Sequence, residues 1–234
     1  VFGMSDNWAT LGKKWSEHFQ VHPLDMRNHG RSPHADAFSY ALMAEDLHQY
    51  IQDNSLDKCN IIGHSMGGKV AMLFAVLNPP LVERLVFADI APKAYSPHHQ
   101  EVVEALQALN LEAISNRSDA MEKFGPNLDQ ATKQFLLKSL YRKDKNEFAW
   151  RFNVEALCRE VQKKGEDFPP NAIFQGKTLF IRGGDSPYVK DKDWDKIEQH
   201  FPMASLETIA GAGHWLHAQK PQAFFEAVNE FLGS

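Results

Sequence analysis

The chain has 234 residues, 43% of them hydrophobic and including 16 Phe and 5 Trp, enough to fill one large core or a core with an appended subdomain. Its net charge is −5, with Lys and Arg scattered rather than gathered into a stripe, which argues against nucleic acid or another polyanion as partner. The two cysteines, Cys59 and Cys158, are too widely spaced for a disulfide framework or a structural zinc site. With no apolar run of about 20 residues and no basic-then-apolar leader, the chain reads as soluble and cytoplasmic. Phe19 to Asp25 reads as a short strand, followed by an irregular loop marked by Gly30 and Pro33. Ser39 is a candidate N-cap. Tyr40, Met43, Leu47 and Ile51 recur at helical spacing, so a helix is expected to end near Asp53-Asn54.

Next comes Asn60-Ile-Ile-Gly-His-Ser65-Met-Gly-Gly-Lys69, a short apolar run turning through Gly-His-Ser-Met-Gly into an Ala/Leu/Met/Phe helix. This is the context of a nucleophile elbow. A serine on a strained strand-to-helix turn projects its hydroxyl above the sheet, and Gly63 and Gly67 are expected to let neighbouring backbone approach without a Cβ clash. The helix points its N-terminus at the serine, so the Met66 N–H can face a developing oxyanion. Lys69 reads as a solvated or salt-bridged helix residue. Asn78-Pro79-Pro80 stops the helix, and Val82 to Ala88 forms another buried strand, closed by Pro92.

From about Ala94 to Gln175 the strand-helix rhythm breaks. The pattern is mostly helical and charged, with an aromatic cluster at Phe148-Ala-Trp-Arg-Phe152, and suggests an inserted cap. Alternation resumes with a strand over Thr178 to Arg182, the loop Gly183-Gly-Asp-Ser-Pro187, a helix through Trp194 and Ile197, a strand over Ser205 to Ile209, and the loop Ala210-Gly-Ala-Gly-His214. A last helix over Pro221 to Leu232 places Phe224 and Val228 on one face. Strands alternating with helices imply parallel β-α units.

Ser65 is the expected nucleophile. His214, in a glycine-bounded loop after the last strand, is the expected base, because the order Ser then His suits this elbow chemistry. The acid is open on the residues alone: Asp89 and Asp185 each follow a strand at the same edge of the sheet. His64, Trp150, Phe152 and Trp215 are candidate pocket residues as readily as structural ones.

With these motifs together, the chain resembles the α/β-hydrolase superfamily over essentially its whole length. Asp25-Met-Arg-Asn-His-Gly-Arg-Ser-Pro33, Gly63 to Lys69, Asp89-Ile-Ala-Pro92, Trp150-Arg-Phe-Asn153 and Gly184-Asp-Ser-Pro-Tyr-Val189 make it similar to small-lid bacterial esterases of the YbfF type. The resemblance implies a mostly parallel sheet flanked by helices, with core segments at 1–93 and 176–234. A small helical lid over 94–175 would follow the strand ending at Asp89. It implies a serine esterase acting on small to medium acyl esters or thioesters, with no cofactor and no metal. It favours Asp89 over Asp185 as the acid. It also makes the Val1 backbone N–H a second oxyanion donor, places Phe2 in the pocket, and implies that strands preceding this point in such enzymes are absent from the chain. A menaquinone-pathway-type lyase and a non-catalytic binding module are the alternatives; the oligomeric state is not legible.

Overall fold

A computed structural model describes residues 1–97, 99–145, 147–162, 165 and 167–233. In chain order the elements are α1 (Ala9–Trp15), α2 (Tyr40–Asp53), β1 (Cys59–His64), α3 (Met66–Leu77), β2 (Val82–Ala88), α4 (Gln100–Ala108), α5 (Arg117–Lys123), α6 (Gln130–Lys138), β3 (Leu140–Asp144), β4 (Glu147–Trp150), α7 (Val154–Val161), β5 (Thr178–Gly183), α8 (Trp194–His200), β6 (Ala204–Ile209), α9 (Leu216–Gln219) and α10 (Pro221–Gly233). They divide into two units, Val1–Phe38 with Tyr95–Gly165, and Ser39–Ala94 with Glu166–Ser234.

The second unit is built on a sheet of order β1-β2-β5-β6 in which every neighbouring pair is parallel. Parallel strands are buried on both faces, and β2 shows it: Leu85, Val86, Phe87 and Ala88 have no exposed surface. Leu85, Val86 and Phe87 each contribute roughly 1.5–3 kcal/mol by leaving water. Phe87, Phe180 and Phe201 meet at ring distances of 5.0 to 5.6 Å and fill the space beneath the strands. Helix α2 is N-capped by Ser39, whose hydroxyl accepts the Leu42 N–H at 3.2 Å, and it buries Met43, Ala44, Leu47 and Ile51 at helical spacing. In α10, Phe224, Ala227 and Val228 are buried, as the one-faced pattern after Pro221 requires.

Because all strands run the same way, the loops after β1, β2, β5 and β6 leave one edge of the sheet together. Residues brought to such a carboxyl edge are far apart in sequence and adjacent in space. Register makes this concrete: His64 pairs with Ala88, so Ser65 and Asp89 leave neighbouring strands at the same level.

In the first unit an apolar core gathers Phe2, Val103, Leu106, Phe124, Leu136, Leu140, Trp150, Phe152 and Leu157. This core explains why residues 1–38 group with 95–165, where the sequence reading joins 1–93 in one core segment. The segment read as mostly helical also contains an antiparallel hairpin, β3 with β4. Phe19–Asp25, read as a strand, joins no ladder among the described residues. Its neighbouring loop is instead tied by Asp25, whose carboxylate accepts the N–H groups of Ser5 (2.6 Å) and Arg31 (2.9 Å).

Candidate active site

Ser65 follows β1 with φ 53° and ψ −117°, backbone space that a serine enters only when its surroundings over-determine it. The ladder continues through it: its N–H donates to the Ala88 carbonyl at 3.2 Å, and its own carbonyl accepts the Lys69 N–H at 3.1 Å, opening α3. Two glycines make the sharp turn possible. A Cβ on Gly63 would lie 2.6 Å from the Gly67 carbonyl oxygen, and one on Gly68 would lie 2.4 Å from Ile90 Cγ2. Gly67 departs from the sequence reading, since nothing lies within 4 Å of where its Cβ would be. The close approach after the serine is made at Gly68 instead. Met66 is the first residue of α3, so its N–H is among the donors that find no acceptor within the helix.

Asp89 directly follows β2 with φ 51° and is completely buried. A buried carboxylate needs partners, and it has three. Oδ1 accepts the Gly183 N–H at 3.2 Å, while Oδ2 lies 2.7 Å from His214 Nδ1 and accepts the Ser186 hydroxyl. A carboxylate acceptor at Nδ1 places the imidazole proton there and puts the lone pair of the neutral ring on Nε2.

His214 reaches this carboxylate because the loop after β6 lies close against β5. A Cβ on Gly183 would sit 2.4 Å from the Ala212 carbonyl oxygen and 2.5 Å from that of Gly213, so only glycine admits the loop. The Asp185 N–H donates to Ala212 O at 2.9 Å, and Gly213 N–H to Gln219 Oε1 at 2.7 Å. Tyr188 stacks on the His214 ring at 3.7 Å and 14°. Burial, with the negative charge of Asp89, pushes the Tyr188 phenol up to about 12, so it stays protonated. Asp185 itself is exposed, and its carboxylate makes no hydrogen bond or ion pair among the described residues.

The profile of the alpha/beta hydrolase fold family matches residues 1–221. The chain is an α/β-hydrolase. It is 36% identical to esterase YbfF of Escherichia coli over 236 residues, covering 99% of this chain and 90% of that protein. It is 37% identical over 244 residues to the sn-1-specific diacylglycerol lipase of Xenopus laevis, covering 100% of this chain and 78% of that protein. Among solved structures, a marine microorganism esterase superposes with a TM-score of 0.92 at 38% identity, covering 99% of this chain and 92% of that one.

The remaining expected site residues of this hydrolase fall into both units. In the second, Trp215 is half-buried beside His214, and His64 turns its Nε2 to within 2.7 Å of the His214 carbonyl oxygen. In the first, Val1 packs at the margin of the apolar core and Phe2 is buried within it, edge-on to Phe152 at 5.2 Å. Trp150 and Phe152 stack at 5.1 Å in the same core and are both buried. Lys69 corrects the sequence reading: only 6% exposed, it donates through Nζ to the Lys93 carbonyl at 2.5 Å, and burial lowers its pKa to about 8. Gly183 and Ser186, which donate to Asp89, and Tyr188, which stacks on His214, are not singled out by the sequence as candidate site residues. Among the described residues no cluster of His, Cys, Asp or Glu is placed to hold a metal ion, and no helix is long and apolar enough to cross a membrane.

Proposed function

We propose that this hydrolase cleaves small to medium acyl esters or thioesters through an acyl-enzyme on Ser65, with His214 as general base and Asp89 as the triad carboxylate. The class of reaction, carboxylic ester hydrolysis, follows from whole-chain kinship with the E. coli and marine esterases. The observation that carries the assignment of roles is the 2.7 Å contact of His214 Nδ1 with Asp89 Oδ2, made at the end of the strand that pairs with the one delivering Ser65.

The chemistry runs in two steps. As Ser65 Oγ attacks the ester carbonyl carbon, its proton passes to His214 Nε2, and Asp89 stabilises the imidazolium that forms. The Met66 N–H faces the oxyanion of the tetrahedral intermediate; a donor of this kind is typically worth about 10²–10³ in turnover. The imidazolium protonates the departing alkoxide or thiolate, leaving the acyl group on Ser65. Water, losing its proton to the same Nε2, then attacks the acyl carbon and frees the acid and the serine.

A second reading, hydrolysis of a glycerolipid ester, is favoured by the 37% identity to the X. laevis sn-1-specific diacylglycerol lipase. The test is kcat/KM across soluble esters and acyl thioesters from acetyl to palmitoyl, beside emulsified diacylglycerol, with Ser65→Ala as control. The proposal expects the highest values at short and medium acyl chains and none in the alanine variant. Preference for diacylglycerol selects the second reading, and a Ser65→Ala protein with a tenth or more of normal turnover overturns both.

A further inference from the structure

Ser65 is fixed by its strained elbow and by the β1–β2 ladder, whereas His214 sits on an irregular loop that must be referred to the nucleophile by some contact. One residue before Ser65, at the end of β1, His64 supplies one. Its Nε2 lies 2.7 Å from the His214 carbonyl oxygen, across a sequence separation of 150 residues. Its ring also packs against the His214 ring, with centroids 4.6 Å apart and planes at 42°. On the helix that follows, His217 packs against His64 at 4.6 Å, and Phe224 of α10 against His217 at 6.2 Å. With Tyr188 stacked on His214, five rings form a continuous run from the loop after β5 to the last helix, and His64 is its centre.

We infer that His64 is a positioning residue for the base: it ties the His214 main chain to the strand that carries the nucleophile, so that one strand end sets both partners of the proton transfer. The inference rests on the reading of His214 as general base. A carbonyl oxygen only accepts, so Nε2 of His64 carries the proton and donates. Burial, followed by the neighbouring His217 and His214 imidazoles, holds its pKa well below the ordinary histidine value. A neutral ring in this place does not oppose the charge that His214 acquires when it takes the Ser65 proton.

Two substitutions separate the hydrogen bond from the ring. His64→Phe keeps a ring and removes the donor; His64→Gln removes the ring and keeps an amide N–H that reaches a similar place. The phenylalanine variant is expected to lose about ten- to a hundredfold in kcat with KM little changed, because small displacements of a catalytic group are costly. The glutamine variant is expected to stay within about threefold of wild type. A readout independent of turnover is the low-field proton resonance of the His214–Asp89 hydrogen bond in the resting protein. It should persist with Gln and broaden or vanish with Phe. Wild-type kcat and an unchanged resonance in His64→Phe would overturn the inference, as would a Gln variant that loses both, a result that can be read even if the Phe variant does not fold. A protein without any ester hydrolysis would sink the proposed function, while the resonance would still report whether His64 holds His214.

Discussion

Asp89 and His214 meet through a 2.7 Å contact between Oδ2 and Nδ1, although 125 residues separate them. Asp185, two residues past the end of β5, contributes only its backbone N–H, which donates to the Ala212 carbonyl in the loop that carries His214. The two carboxylates therefore predict opposite outcomes. Asp89→Asn leaves the imidazole in the wrong tautomer and should cost about 10⁴ in turnover. Asp185→Asn should leave kcat/KM and melting temperature close to wild type, as expected for an exposed side chain. Steady-state kinetics on the two variants decide between them.

Ser186 donates to the same Asp89 oxygen that faces His214. Removing the hydroxyl in Ser186→Ala leaves Asp89 with the Gly183 N–H and His214, so the carboxylate stays buried but less fully satisfied. Turnover should fall by about tenfold, well short of the loss in Asp89→Asn, in keeping with one hydrogen bond to a charged group. Ser186→Thr, which retains the donor, should recover most of it.

The elbow glycines make a contrasting pair. Gly63→Ala forces a Cβ against the backbone at 2.6 Å and should abolish activity and lower the melting temperature. Gly67→Ala meets open space within a helix, so it should keep the fold and stabilise it by about 0.5–1 kcal/mol. Thermal melts of the two proteins check both halves.

Which parts of this were legible in the sequence depends on how far each interaction reaches. The strands around Val86 and Phe180 are buried apolar runs, β1 around Ile61 is a shorter apolar run, and α2 and α10 carry helical periodicity with a cap or an opening proline, so local pattern suffices for them. The β3–β4 hairpin does not announce itself, because Arg142, Lys143 and Asp144 are exposed and only Leu140, Phe148 and Trp150 face the core. Phe19–Asp25 has strand-like composition, but a strand exists only where a neighbour takes its hydrogen bonds. At the site, Ser65 and His214 stand in recognisable local contexts. Asp89 was separable from Asp185 only through family resemblance, since both follow strands. The contacts of Ser186 with Asp89 and of His64 with the His214 carbonyl span 97 and 150 residues, which no local pattern encodes.

Burial lowers the Lys69 ammonium to about 8 from an ordinary 10.5. Between those values the unfolded chain binds the proton more tightly than the folded one, so the cost of burying charge is whole below pH 8 and is relieved as pH rises towards 10.5. In urea titrations the stability of Lys69→Met relative to wild type should therefore be most favourable below about pH 8 and decline as the pH rises from there towards 10.5. A difference that does not change with pH would show that the amine is not desolvated.

The proposed reaction stands or falls with Ser65 as the nucleophile of a covalent acyl transfer. It is tested most directly by treating the protein with a fluorophosphonate and locating the adduct by peptide mass spectrometry. One equivalent of label is expected on the peptide carrying Ser65, formed at a rate that collapses in His214→Ala and Asp89→Asn and absent in Ser65→Ala. Stoichiometric labelling at another residue, or undiminished labelling and ester hydrolysis in Ser65→Ala, would contradict it.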